Sequence, residues 1–123
     1  MLQDLQTRMI HAFGVAALLA AMASPAFAHA VLVSAEPAPD SEVTAPQVIT
    51  LHFSEAFEPK FSRFTLTDTD GANVAINPVE SKDPKIMAAK PVTALVPGLY
   101  TVSWNTLGHD THKRNGSFSF TVK

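Results

Sequence analysis

Tyr100-Thr101-Val102-Ser103-Trp104-Asn105 alternates apolar and polar side chains, and Ser117-Phe118-Ser119-Phe120-Thr121-Val122 repeats the pattern in opposite phase. Successive side chains on a strand point to opposite faces, so each stretch reads as a strand with one buried face. Working outward, Val48–Phe53 sets Ile49, Leu51 and Phe53 against Thr50 and His52, while Phe64 and Leu66 alternate with Thr65 and Thr67. Val31–Val33, Asn73–Ile76 and Ile86–Ala89 are shorter candidates. Turn signals separate these runs: Pro37-Ala38-Pro39-Asp40-Ser41, Asp70-Gly71, Asn77-Pro78, Asp83-Pro84, Pro97-Gly98 and Asn115-Gly116. Nothing beyond residue 28 shows helical periodicity. About seven short strands without crossover helices predict an all-β fold, a small antiparallel β-sandwich or Greek-key barrel. The aromatics Phe53, Phe64, Tyr100, Trp104, Phe118 and Phe120 are expected in its core on their periodicity.

The chain has 123 residues and no cysteine, with 9 Lys and Arg against 11 Asp and Glu for a formal charge of −2. That length suits one small domain. The missing cysteines exclude disulfides, thiolate zinc, iron–sulfur clusters, thiol catalysis and a blue-copper thiolate. The charge balance offers no basic face for nucleic acid and no polybasic membrane patch. The 46% hydrophobic content is inflated by the first 28 residues. Arg8 precedes an apolar run from Ile10 to Ala23, Ser24-Pro25 breaks it, and Ala26-Phe27-Ala28 ends it with small residues. This is the layout of a secretory signal cleaved after Ala28, and a stretch of 14 residues falls short of the roughly 20 a membrane span needs. Cleavage leaves 95 of the 123 residues, 38 of them hydrophobic, with Met87 as the one remaining methionine. No stable membrane insertion is expected after cleavage.

Cleavage makes His29 the first residue, able to offer its α-amine and imidazole Nδ1 to one metal. Asp110 and His112 lie two apart between the Trp104 and Phe118 strands, which puts both on one side of an extended segment. Alone, either feature reads as a tolerated terminus or a solvated loop. Together they offer three nitrogens and one oxygen, a set that suits tetragonal Cu(II). Glu55 follows the parity of Ile49, Leu51 and Phe53. If that strand continues, its carboxylate points inward at the strand end and needs a partner such as a metal or the His29 amine; if the parity breaks, it is an exposed carboxylate. His52 has the outward parity of a surface residue or secondary weak ligand, and His109 alternates away from Asp110 as a spectator. Met87 reads as packing, since one soft donor cannot build a Cu(I) site. No phosphate loop, nucleophile elbow or other catalytic constellation is present in the sequence, so no enzyme activity is expected.

His29-Ala30-Val31-Leu32-Val33-Ser34, Pro37, Leu51-His52-Phe53-Ser54-Glu55, Asp83-Pro84-Lys85-Ile86-Met87, Asp110-Thr111-His112 and Gly116-Ser117 together resemble the periplasmic copper-resistance protein CopC family over essentially all of 29–123. The resemblance implies a cupredoxin-like Greek-key barrel and one Cu(II) held by His29, Asp110 and His112, with Glu55 near or on the metal. It further implies a periplasmic copper carrier or buffer in copper resistance or homeostasis that can work with an inner-membrane copper transport protein. Two departures stand out. The stretch 68–85 contains no Met and no His, so the Cu(I) site of some members is expected to be absent. Lys113-Arg114 follow the Asp-x-His motif where the family usually has an uncharged residue; two cations there should oppose Cu(II) binding unless they dock a partner. A histidine-brace copper oxidase and a metal-free immunoglobulin-like module are the competing readings. The first is disfavoured by a carboxylate donor and a small surface, while the second predicts no stabilisation by copper.

Overall fold

The structure is a computed structural model that describes residues 31–123. The expected signal segment 1–28 and His29 lie outside the described residues. Nine strands follow in chain order: β1 (Leu32–Glu36), β2 (Glu42–Val43), β3 (Ile49–Phe53), β4 (Arg63–Thr67), β5 (Asn73–Val74), β6 (Ile76–Val79), β7 (Ile86–Pro91), β8 (Gly98–Leu107) and β9 (Lys113–Val122). A single 3-10 turn, Pro59–Phe61, is the only helical element among the described residues. The strands form two sheets, in the orders β1-β3-β7-β6 and β2-β9-β8-β4-β5.

Each sheet contributes one apolar face to a shared core. Ala35, Ile49, Leu51, Phe53, Met87 and Ala89 come from the four-stranded sheet. Phe64, Leu66, Tyr100, Val102, Trp104, Phe120 and Val122 come from the five-stranded one, and all are buried. Phe53 meets Trp104 edge to face across the sheets at 5.1 Å between centroids, and meets Phe57 at 5.6 Å. Tyr100 stacks on Phe120, and its hydroxyl donates to the Val96 carbonyl at 2.6 Å, so the ring is buried without stranding its polar tip. The all-β sandwich expected from period-2 alternation is the observed fold. Phe118 alone of the expected core aromatics is only partly buried, packed against the core from its edge.

Two details differ from the sequence reading. Asn73–Ile76 is not one strand: β5 pairs with β4 in one sheet and β6 with β7 in the other, so the chain changes sheets at Ala75. The two-residue strand β2 pairs in parallel with β9, an exception in an otherwise antiparallel sandwich. Two-residue strands are too short to show a period, which is why nine elements are found where about seven were legible.

Gly116 faces Trp104 across the β8–β9 ladder, and a Cβ there would lie 2.5 Å from Trp104 Cζ2 and 2.8 Å from Cε2. The indole is itself packed on Phe53 and cannot retreat freely. Gly116→Val is therefore expected to lower unfolding free energy by about 1–3 kcal/mol through overpacking. Ser117→Ala, at an exposed neighbour, should stay within about 0.5 kcal/mol of the parent in the same urea titration. A Gly116→Val variant as stable as Ser117→Ala would show that Trp104 is free to move.

Candidate metal centre

The β8–β9 ladder ends at the Leu107–Lys113 pair, and residues 108–112 close the hairpin. The Gly108 N–H donates to the His112 carbonyl at 3.0 Å, and the Thr111 N–H to the Gly108 carbonyl at 3.0 Å. A second segment braces this loop: Phe57 bridges to Gly108, and the Glu58 N–H donates to the Leu107 carbonyl at 2.8 Å. Within the loop Asp110 turns back on its own chain. Its Oδ1 accepts the His112 backbone N–H at 3.1 Å. Its Oδ2 lies 3.0 Å from His112 Nδ1 and accepts from Arg114 Nη2 at 3.3 Å.

Asp110 and His112 are thus brought together, but not by the extended geometry their spacing suggests. Residues 109 and 110 form a turn, Thr111 has φ +66°, and the aspartate closes an Asx-type turn onto the residue two positions on. A left-handed conformation is unfavourable for a β-branched residue, and the three contacts of Asp110 offset it. Gly108 makes room for this arrangement, because a Cβ at that position would stand 2.5 Å from Asp110 Oδ1.

The electrostatics follow from the same contacts. The His112 backbone N–H, then the His112 ring, hold the Asp110 carboxyl down at about 2. Partial desolvation opposes them and Arg114 adds to them. Asp110 is therefore an ionised, accept-only carboxylate near neutral pH. The neutral imidazole facing it must carry its proton on Nδ1, which leaves the Nε2 lone pair directed away from Asp110, on a side chain that is 73% exposed. A carboxylate that fixes the tautomer and orientation of a histidine is the usual support of a metal-binding imidazole.

The other candidates stand apart. β3 stops at Phe53, the Ser54 N–H donates to the Val31 carbonyl at 2.8 Å, and the chain bends through Ser54 and Glu55. The inward parity therefore ends one residue before Glu55, whose side chain is exposed rather than aimed into the sandwich. His52 is partly exposed on the outer face of β3 as expected, with Nε2 3.9 Å from Glu36 Oε1. His109 Nδ1 lies 2.6 Å from Glu58 Oε1, so it has a carboxylate neighbour that no spacing in the sequence indicates. Met87 is core. Among the described residues no three His, Asp or Glu side chains are gathered closely enough to hold a metal ion. Asp110 and His112 are the candidate ligands that the structure brings into contact. Sequence reasoning missed Arg114 as a support of Asp110, although its position four residues on was available as a signal.

Because Asp110 is held below its ordinary value, the stability it contributes is complete above about pH 4 and lost as pH falls through about 2. Its carboxyl carbon, followed by NMR, should titrate near pH 2. Gly108→Ala pushes the carboxylate off His112 and should return that midpoint toward 3.8.

The CopC domain family matches residues 32–123. Copper resistance protein C of Pseudomonas syringae pv. tomato is 37% identical over 96% of this chain and 97% of its own. Protein YobA of Escherichia coli K12 is 36% identical over 90% of this chain and 93% of its own. Among solved structures, PcoC, a methionine-rich copper resistance protein from Escherichia coli, superposes with a TM-score of 0.71 at 40% identity, covering 78% of this chain and all of that one. CopC from Methylosinus trichosporium OB3b gives 0.70 at 30% identity, covering 77% and 94%. By sequence over nearly the whole described region, and by fold, the chain belongs to the CopC domain family.

Proposed function

We propose that this protein is a periplasmic copper carrier or buffer that binds one Cu(II) per mature chain and performs no catalysis of its own. The observation that carries the reading is the preformed Asp110–His112 pair, with one imidazole nitrogen free, in a member of a family whose relatives are named for copper resistance. Half a site needs completion from outside the described residues. The amine and imidazole of His29, made terminal by cleavage after Ala28, complete a nitrogen-rich set with His112 Nε2. Asp110 still has acceptor capacity beyond its three contacts, enough to serve as a ligand or to orient His112. Glu55 lies beside Ser54, to which the chain entering at Val31 is hydrogen-bonded, and is the fourth group of the proposed set. Nitrogen and oxygen donors without a thiolate suit Cu(II), and the lack of Met and His in 68–85 supports the absence of a Cu(I) site. Copper is cargo in this reading, and an inner-membrane copper transport protein is its proposed recipient or donor.

The test is a copper titration of the chain beginning at His29. One Cu(II) should bind, with an electron paramagnetic signal of a tetragonal nitrogen-and-oxygen site. Copper at a hundredfold its Kd should raise the melting temperature by roughly 10–20 °C, as expected for about 2.7 kcal/mol on a domain of this size. Binding should weaken as pH falls and protons compete for the imidazoles and the amine. His112→Ala should remove tight binding, and one extra residue before His29 should weaken it strongly. Unchanged affinity in the extended chain would refute the terminal chelate.

The cations after the motif should behave differently from each other. Arg114→Gln releases Asp110 Oδ2 and should weaken copper binding by about tenfold, the scale of losing a support outside the ligand set. Lys113→Gln removes only a repulsive charge and should leave affinity equal or higher. Equal effects of the two would contradict the support role of Arg114.

A further inference from the structure

Beside the hairpin loop, the 3-10 turn, the adjoining ends of β4, β8 and β9, and Pro78 of β6 enclose an open groove of about 670 Å³. Lys60 and Phe61 come from the turn, Arg63 opens β4, and Lys113 opens β9. The register explains why they converge. Phe64, Trp104 and Gly116 form a row across β4, β8 and β9 that faces the core, so the adjoining row of Arg63, Asn105 and Asn115 faces outward. Lys113, two residues before Asn115, shares that outer face.

Two properties set this groove apart. Its lining contains four cations and no Asp or Glu, in a chain whose net charge is −2. Arg114 is occupied by Asp110, but Lys60, Arg63 and Lys113 form no ion pair among the described residues. In the midst of these charges Phe61 is 69% exposed, the most exposed of the large hydrophobic side chains among the described residues. An aromatic ring left in water beside unpaired cations is what an interface anchor looks like before its partner arrives. Asn105 and Asn115 add side-chain amides that can donate to and accept from a peptide backbone.

We propose that this groove docks an acidic segment of a partner protein, with carboxylates on Lys60, Arg63 and Lys113 and an apolar side chain over Phe61. A concave site lined with amides fits an extended chain better than a flat anionic membrane, into which one aromatic ring inserts little surface. Since Lys113 directly follows His112, a docked segment lies beside the Asp110–His112 pair. The docking stands on the groove alone; only its use in copper exchange rests on the carrier reading above.

The probe is a twelve-residue fluorescent peptide of alternating Glu and Ser with one central Phe, added to the isotopically labelled chain beginning at His29. The amides of Phe61, Arg63, Asn105 and Asn115 should shift, and affinity should fall as salt is raised. Lys60→Glu with Arg63→Glu should weaken binding at least tenfold, and Phe61→Ser severalfold. Lys82→Glu with Lys90→Glu, equal in charge change but outside the groove, should alter it less than twofold. These four positions are exposed, and matching melting temperatures check that each variant is folded. Equal losses from both charge-reversed pairs, or shifts mapping elsewhere, would overturn the proposal. So would tighter, Lys60- and Arg63-dependent binding to phosphatidylglycerol vesicles, which would make the face a membrane contact. Copper titration of the Lys60→Glu/Arg63→Glu chain separates the two readings. Retained copper binding with lost peptide binding supports docking, whereas peptide binding by a parent chain that takes up no copper supports docking and sinks the carrier.

Discussion

The ten consecutive cross-strand pairs between β8 and β9, from Gly98–Val122 to Leu107–Lys113, set the position of nearly everything else. A slip of one residue in that ladder would turn the inward set of the strand that moves, Tyr100, Val102 and Trp104 of β8 or Phe120 and Val122 of β9, from the core to water, so the register is strongly enforced by burial. Trp104 is its pin. The indole lies over Gly116, where a side chain would collide with it, and meets Phe53 of the opposite sheet edge to face. Because the ladder runs unbroken to Leu107–Lys113, the loop 108–112 starts from a fixed frame, and the Phe57–Gly108 bridge braces it from the side. The Asp110–His112 pair is local in sequence, but its placement is a property of the whole sandwich.

Much of this was legible before any coordinates. The four well-alternating strands appear where period 2 puts them, because each has one face on the core and one toward water. What escaped has a common cause. β2, β5 and β6 are short edge elements; β2 and β5 have two residues each and carry no period, β6 is a four-residue strand interrupted by Pro78, and the position of β2 comes from pairing with β9 at the far end of the chain. Asp110 and His112 were identified as partners through an extended geometry, whereas their proximity arises from an Asx turn around a left-handed Thr111. Spacing states which side chains can meet and leaves open the backbone that makes them do so. Glu55 shows the complementary limit. Parity left it inward if β3 continued and exposed if it did not, and the bend at Ser54 and Glu55 leaves it exposed.

The Asp110–His112 pair is prepared without being enclosed. Three contacts hold the carboxylate ionised and in place, and the carboxylate holds the ring, yet the imidazole remains largely exposed. A buried site would bind through a desolvated, fully ordered shell and release slowly. An exposed pair with its tautomer already set loses little ordering entropy on binding and lies open to an incoming ligand from another protein. That combination suits a molecule that must give up its cargo.

Lys113 and Arg114 show how strand parity divides two adjacent like charges between different tasks. Taken as a dipeptide beside the Asp-x-His motif, both would repel a bound cation. In the folded chain they leave β9 on opposite faces. Arg114 has the inward parity and lies at the end of the sandwich, where its guanidinium reaches back to Asp110 and its charge is set against a carboxylate. Lys113 has the outward parity and contributes its charge to the groove with Lys60 and Arg63. The positive charge beside the Asp110–His112 pair is therefore less than the sequence count suggests, since the Arg114 guanidinium is paired with Asp110. The same alternation that buries the core thus also keeps a basic surface beside the Asp110–His112 pair.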